Sequence, residues 1–320
     1  MPRFATPLFL ALCVATLGCL PLVAGTFYVA LVGKIMILAV LAMSLDLLVG
    51  FTGLTSLGHA AFFGIGAYSL YLLSSESQGA SLWLSLPAAM LAAAFAALLI
   101  GLLVLRSSGV YFIMVTLAFS QMFFYYATGA RWLGGSDGSY IDHKPDATIV
   151  GVQPFDLGRG SSFYYAVLIS MLATYLFLLT VLRSPFGHAI RGIKANEHRM
   201  RALGFATFQY KLAAFVIAGA LAGLAGYFDA AQFGVVNPDL FGWRLSGDVL
   251  MMVILGGMGT LHGPVFGAFA LVLLENFLGE ATTHWLLPMG LFIILAVLLL
   301  PGGLAAPFAL AKVRWERRRA

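Results

Sequence analysis

The chain has 320 residues, of which 61% are hydrophobic and 10% charged, with a mean hydropathy of +0.95. Soluble domains run at about 45–50% apolar and about 25% charged, so the composition excludes a soluble globular domain and places the chain in a bilayer. A net charge of +5 would suit nucleic acid, but the bases cluster at the flanks of apolar runs and at the C-terminus; membrane orientation and lipid contact account for them, and no nucleic-acid partner is expected.

In chain order, apolar runs predict about ten transmembrane helices, near residues 8–24, 30–49, 57–73, 82–105, 109–128, 162–182, 211–232, 245–258, 264–279 and 285–300. About 20 residues at a rise of 1.5 Å each cross the hydrocarbon core. The expected fold class is all-α, a polytopic membrane helical bundle forming one transmembrane domain over residues 1–320. The runs at 245–258 and 264–279 are short, as broken or re-entrant helices are. The first run follows Arg3 and holds both cysteines, Cys13 and Cys19. Thr16-Leu17-Gly18 is a poor lipoprotein box and apolar sequence continues to Val23, so a retained span is expected in preference to a cleaved leader. Cysteines so placed offer no disulfide framework or zinc spacing, and neither a metal site nor a cofactor is expected.

The second run carries Lys34 near its outer end, where it can snorkel, and Asp46 near its inner end. Roughly 18 Å of helical rise separates them, too far to pair. Asp46 is placed to hydrogen-bond within the glycine-rich stretch that follows, Gly53–Ala67 (GLTSLGHAAFFGIGA). A second stretch, Gly257–Ala268 (GMGTLHGPVFGA), repeats its order: glycine, a hydroxyl residue with leucine (Ser56-Leu57, Thr260-Leu261), then Phe63-Gly64 and Phe266-Gly267. Both open a span on the inside, and an inverted internal repeat is expected, with a path at the repeat interface. Small residues also serve helix packing alone. His59 and His262, one in each stretch, fit either a hydrogen-bonded packing role or a substrate contact.

Residues 129–161 form the longest outside segment, rich in Gly, Asp and Pro. It is too short for an independent domain, which takes about 50 residues. The segment 183–211, RSPFGHAIRGIKANEHRMRALGFATFQYK, is the most strongly charged stretch of the chain. Read as one helix, it gathers Ile190, Ile193, Met200 and Leu203 on one side with Glu197 among them, and Arg191, Lys194, His198 and Arg201 as a basic stripe on another. Such a helix lies against the membrane or in another protein's groove and receives force from a partner. Bases beside spans are retained in the cytoplasm, so this loop is inside, and ten crossings put both termini there too. Arg3, Arg106 and the tail bases Lys312, Arg314, Arg317, Arg318 and Arg319 then fall inside; Glu76, Asp137, Asp142, Asp146, Asp156, Asp239 and Glu280 fall outside, against Arg131, Lys144, Arg159 and Arg244.

Later in the chain, Gly219, Gly223 and Gly226 have the GxxxG-type spacing of a helix–helix contact. Arg244 and Asp248 read as a local i,i+4 pair, and Glu275 as reaching the outer interface. No phosphate loop occurs, since Gly33-Lys34 is followed by Ile35, and His262 stands where a dinucleotide loop needs its third glycine. With no H-E-x-x-H or paired-cysteine motif either, no catalytic residue is identified and the chain is not expected to be an enzyme. The sparse charge in its spans also argues against a proton relay.

Together, LDLLVGFTGLTSLGHAAFFGIGAY (45–68), RSPFGHAIRGIKANEHRMRALG (183–204), KLAAFVIAGALAGLAG (211–226), GGMGTLHGPVFGA (256–268) and HWLLPMGLFIILAVLLLPGGL (284–304) resemble the LivM-type permease of branched-chain amino-acid ABC importers. The resemblance covers nearly the whole chain from about residue 34. It implies a single permease domain in the bacterial inner membrane, with 129–161 periplasmic and 183–211 a cytoplasmic coupling loop. The partners it implies are a second homologous permease, two cytoplasmic ATP-binding subunits that hydrolyse the ATP, and a periplasmic substrate-binding protein. Asn196, Glu197, Arg199, Leu203 and Gly204, with Arg191 of the basic stripe, would form the ATPase-coupling surface. Ser56, Phe63 and Thr260, with Asp46, His59 and His262, are the candidates for a weakly polar translocation path. Glycine follows Glu197 by seven residues, not the six of the E-A-A-x-x-x-G loop of other importers, so the coupling role carries over and that loop's atomic contacts do not. Urea and short-chain amide permeases share much of the pattern and are the nearest rivals; a self-sufficient ion-coupled carrier is a remoter one.

Overall fold

The computed structural model describes residues 13, 15–22, 24–74, 80–141, 143–146, 160–300 and 302–304. Arg3, Glu76, Asp142, Asp156, Arg159 and the tail bases Lys312, Arg314, Arg317, Arg318 and Arg319 lie outside the described residues, as does most of the first predicted span. The described part of that span is helical over 15–22, and Tyr164 and Tyr165 donate hydrogen bonds to its Leu17 and Gly18 carbonyls at 2.8 and 3.0 Å.

The remaining predicted runs all fall on helices. They are α1 (Thr26–Asp46, continued by a π-helical turn Leu47–Thr52), α2 (His59–Leu73), α3 (Leu82–Val104), α4 (Val110–Gly129), α5 (Gly160–Arg183), α8 (Thr207–Phe233), α9 (Trp243–Gly256), α10 (Gly263–Ala281) and α11 (Leu286–Leu299). Two short helices, α6 (Pro185–Ala195) and α7 (Glu197–Ala202), fill the charged segment between α5 and α8. Among the described residues six helices are long and apolar enough to cross a membrane; α2, α9 and α11, at 15, 14 and 14 residues, are shorter than a full crossing.

The core is organised around α1, which is enclosed by α5, α8, α9 and α10 and buried from Ile35 to Thr52. Glycine decides the crossings around it. A Cβ at Gly66 of α2 would overlap the Gly223 carbonyl of α8, and one at Gly226 would overlap the Phe63 carbonyl. Gly219 and Gly223 sit directly on Ala97 and Ala93 of α3, where Ala89, Ala93 and Ala97 recur at every fourth position and are buried. With so little side chain between them the backbones approach closely and gain dispersion contacts, which is how helices associate where lipid removes the hydrophobic drive. α9 and α10 pack in the same way, Gly267 on the Met252 carbonyl and Gly256 on that of Gly263.

The outer faces are apolar. Leu91 and Leu103 on α3, Tyr111 and Met114 on α4 and Leu287 and Leu298 on α11 are exposed, as lipid-facing side chains are. In the loop after α4, β1 (Ser139–Tyr140) pairs antiparallel with β2 (Val235–Val236), tying that loop to the end of α8.

Candidate functional site

The charged segment is built as two helices, not one. Pro185 starts α6, where its missing N–H costs no bond. At Asn196 the backbone turns extended (φ −162°, ψ 100°), and the Asn196 side chain accepts from the Arg199 N–H at 2.9 Å to cap α7. The break corrects the single amphipathic helix expected from the sequence. Ile190 and Ile193 are buried as that pattern requires, but Leu203 lies beyond the break and is 67% exposed. Next to it Gly204 adopts φ +87°, a left-handed conformation that glycine takes without strain.

Glu197 points back into its own chain. One carboxylate oxygen accepts from Arg201 at 2.6 Å and from Thr207 Oγ1 at 3.1 Å, and the other accepts from Lys211. Burial alone would raise the Glu197 carboxyl, but these hydrogen bonds and the Lys211 charge outweigh it and hold the pKa below its ordinary value. Of the residues assigned to the coupling surface, Asn196 and Glu197 thus shape the loop, and Arg199, Leu203 and Gly204 are exposed at its tip. Arg191 stacks its guanidinium over Phe51, 5.4 Å from the ring centre, and Lys194 donates to the Gly50 carbonyl at 2.5 Å.

Those two contacts fasten the loop to the π-helical end of α1. There Asp46 Oδ1 accepts from the Gly259 N–H at 2.8 Å, and Gly50 lies so close to Asp46 and the Gly259 amide that a side chain would overlap both. The Gly257–Ala268 stretch is thereby joined to the residues just before Gly53–Ala67, so both glycine-rich turns lie at one end of the bundle. This pair of motifs therefore does not by itself relate two halves by inversion. Asp46, Ser56, His59 and Phe63 are buried, and Thr260 and His262 half-buried. Ser44 Oγ donates to the Leu41 carbonyl and lies 2.7 Å from His59 Nε2. The hydroxyl's one proton being used, His59 donates from Nε2, and its Nδ1 remains a buried acceptor without a partner. Thr260 Oγ1 donates to the Gly257 carbonyl at 2.7 Å and closes the turn ahead of α10.

At the opposite end of α1 a cavity of about 340 Å³ opens among α1, α2, α8, α9 and α10. Lys34, Asp229, Asn237, Asp248 and Glu275 lie on its wall, together with Phe63 and other apolar side chains. No ion pair closer than 4 Å joins Lys34 to these acids among the described residues, although its charge acts on Asp229 and Asp248. The local Arg244–Asp248 pair expected from spacing is likewise not a direct contact. The sequence pattern assigns no role to Asp229, pairs Asp248 with Arg244 and sets Lys34 and Glu275 at the outer interface, so it does not bring the four together. The signal available was their number, since ionisable side chains inside spans are rare.

The chain matches the family described as branched-chain amino acid transport system / permease component over residues 27–302. It is 32% identical over 290 residues to the high-affinity branched-chain amino acid transport system permease protein LivM of Escherichia coli (strain K12), covering 84% of this chain and 68% of that protein, and equally so to its namesake in Salmonella typhimurium. A more partial likeness, 29% over 177 residues, covers 53% of this chain and 52% of the autoinducer 2 import system permease protein LsrC of Photorhabdus laumondii. No solved structure matches the chain. The chain belongs to the branched-chain amino acid transport system permease family.

Proposed function

We propose that this chain is the permease subunit of an ATP-binding-cassette importer that passes branched-chain, hydrophobic amino acids across the bacterial inner membrane. It forms a single permease domain whose 183–211 segment faces the cytoplasm, as do both termini, and whose 129–161 segment is periplasmic. It works with a second homologous permease, two ATP-binding subunits that carry out the hydrolysis, and a periplasmic substrate-binding protein. The observation that carries the mechanism is the attachment of an exposed loop to the core. Arg199, Leu203 and Gly204 offer a tip for an ATPase groove, and Arg191 and Lys194 of the same loop hold Phe51 and Gly50. Movement of that tip is passed to the end of α1 and, through Asp46, to the turn between α9 and α10. Asp46, Ser56, His59, Thr260 and His262 surround the part that moves, and Phe63 reaches from it to the cavity. The test is co-purification from the native host in mild detergent, followed by leucine uptake into vesicles. Two ATPase subunits, a second permease and ATP-dependent leucine uptake support the proposal. A chain that purifies alone and carries solute without ATP, or a complex that carries urea but not leucine, refutes it.

A further inference from the structure

The charged side chains of the cavity at the end opposite the coupling loop have no part in that mechanism, which reaches it only through Phe63, and their composition asks for a ligand. Three acids and one base share a space with aliphatic and aromatic walls, at the level where α1 and α9 begin and α8 and α10 end. Charge inside spans is costly and is kept for function. A purely structural role would have brought the opposite charges into contact, because unpaired charge costs more than paired. Here Lys34 acts on Asp229 and Asp248 from beyond ion-pair distance. Asn237, on the same wall, has its Oδ1 buried without a hydrogen-bond partner. A ligand that carries both a negative and a positive group would satisfy Lys34 and the acids of this wall together. At about 340 Å³ the cavity lies at the small end of the roughly 300–1,000 Å³ of small-molecule sites.

The geometry points to a subsite on this chain for the zwitterionic head of an α-amino acid, with Lys34 taking the carboxylate, Asp229 taking the ammonium and the aliphatic chain lying against Leu38, Phe63 and Leu271. Asp248, itself under the influence of Arg244 and Glu275, completes the polar rim. This rests on the amino-acid reading of the permease, and it adds that the substrate is held by charge on its way through a path otherwise described as weakly polar.

The experiment uses the full transporter complex in nanodiscs without the soluble binding protein, and measures displacement of tritiated leucine by leucinamide, which lacks the carboxylate, and by 4-methylpentanoate, which lacks the ammonium. In the wild type both compete at least tenfold more weakly than leucine. Lys34→Gln removes the discrimination against leucinamide alone, and Asp229→Asn removes that against 4-methylpentanoate alone. Lys34→Arg and Asp229→Glu stay within about threefold of wild type. Equal loss in Lys34→Gln and Lys34→Arg, or variants that leave both discriminations intact in a complex that still takes up leucine, overturns the subsite and leaves the importer reading standing. A wild-type complex that takes up no aliphatic amino acid in vesicles removes the importer reading, and the subsite with it.

Discussion

Single side chains divide here into those that hold the protein together, such as Glu197 and Asp46, and those that are exposed to meet something else, such as Arg199 and Leu203. Charge and spacing singled out Glu197, but of its three partners only Arg201 shares its short helix, and Thr207 and Lys211 reach it from beyond the turn between α7 and α8, which periodicity alone does not reveal. Glu197→Ala leaves the largely covered Lys211 without its partner, and by the about 1–3 kcal/mol of an unsatisfied buried group should lower the unfolding temperature in detergent. The pH dependence has a definite sign. The Glu197 carboxyl is held below its ordinary 4.5, so its stabilisation is complete above that value and is lost as pH falls through the lower folded-state value. The contribution of Glu197 to thermal stability should therefore be constant between pH 6 and 8, and the gap between wild type and Glu197→Gln should close only in acid. Asp46 behaves differently, because one of its oxygens accepts from Gly259 while the other has no partner. Asp46→Asn keeps the acceptor and should fold normally, whereas Asp46→Ala strands the Gly259 amide and should cut the yield of monodisperse protein on size exclusion.

At the scale of elements, hydropathy locates the helices because one signal, about 20 apolar residues, is both necessary for crossing and visible in one dimension. It does not say which helix is enclosed. α11 is the more apolar of the two, with no polar side chain, yet α1, which carries Lys34 and Asp46, is buried through most of its length and α11 is largely exposed. Nor does hydropathy explain why α2 and α9 are short; the structure puts glycine turns beside them, where the chain reverses tightly at Gly53 and Gly257 with φ of 79° and 113°. The glycines at the α2–α8 crossing carry a sharp prediction. Gly66→Ala and Gly226→Ala each place a methyl on a facing carbonyl, and overpacking of about 1–3 kcal/mol or more should deplete the folded protein recovered from membranes. Gly247→Ala, in the interior of α9 with nothing within 4 Å of the added carbon, should instead be neutral or stabilising by up to about 1 kcal/mol. Similar losses in all three variants would mean that close approach is not what selects glycine.

For the molecule as a whole, the ties from Lys194 to Gly50 and from Asp46 to Gly259 span a loop and two separate hairpins. Lys194→Met keeps the aliphatic stem beside Gly53 and removes the ammonium. In the reconstituted complex it should leave ATP hydrolysis within about twofold of wild type while leucine uptake falls about tenfold; a parallel fall in both would place Lys194 at the ATPase surface instead. The burial of α1 has a consequence in time as well as in space. During synthesis this helix emerges before α5, α8, α9 and α10, the four that finally enclose it. It must therefore enter the bilayer as a lipid-exposed segment, with Lys34 and Asp46 still unmatched, and wait for more than two hundred residues of later chain before lipid is stripped from its surface. A nascent chain stalled before α8 should expose α1 to a lipid-borne photoprobe, and release of the finished chain should protect it. Insertion and burial of α1 are thus separate events, and the helix that α5, α8, α9 and α10 enclose keeps its contact with the membrane until those four have been made.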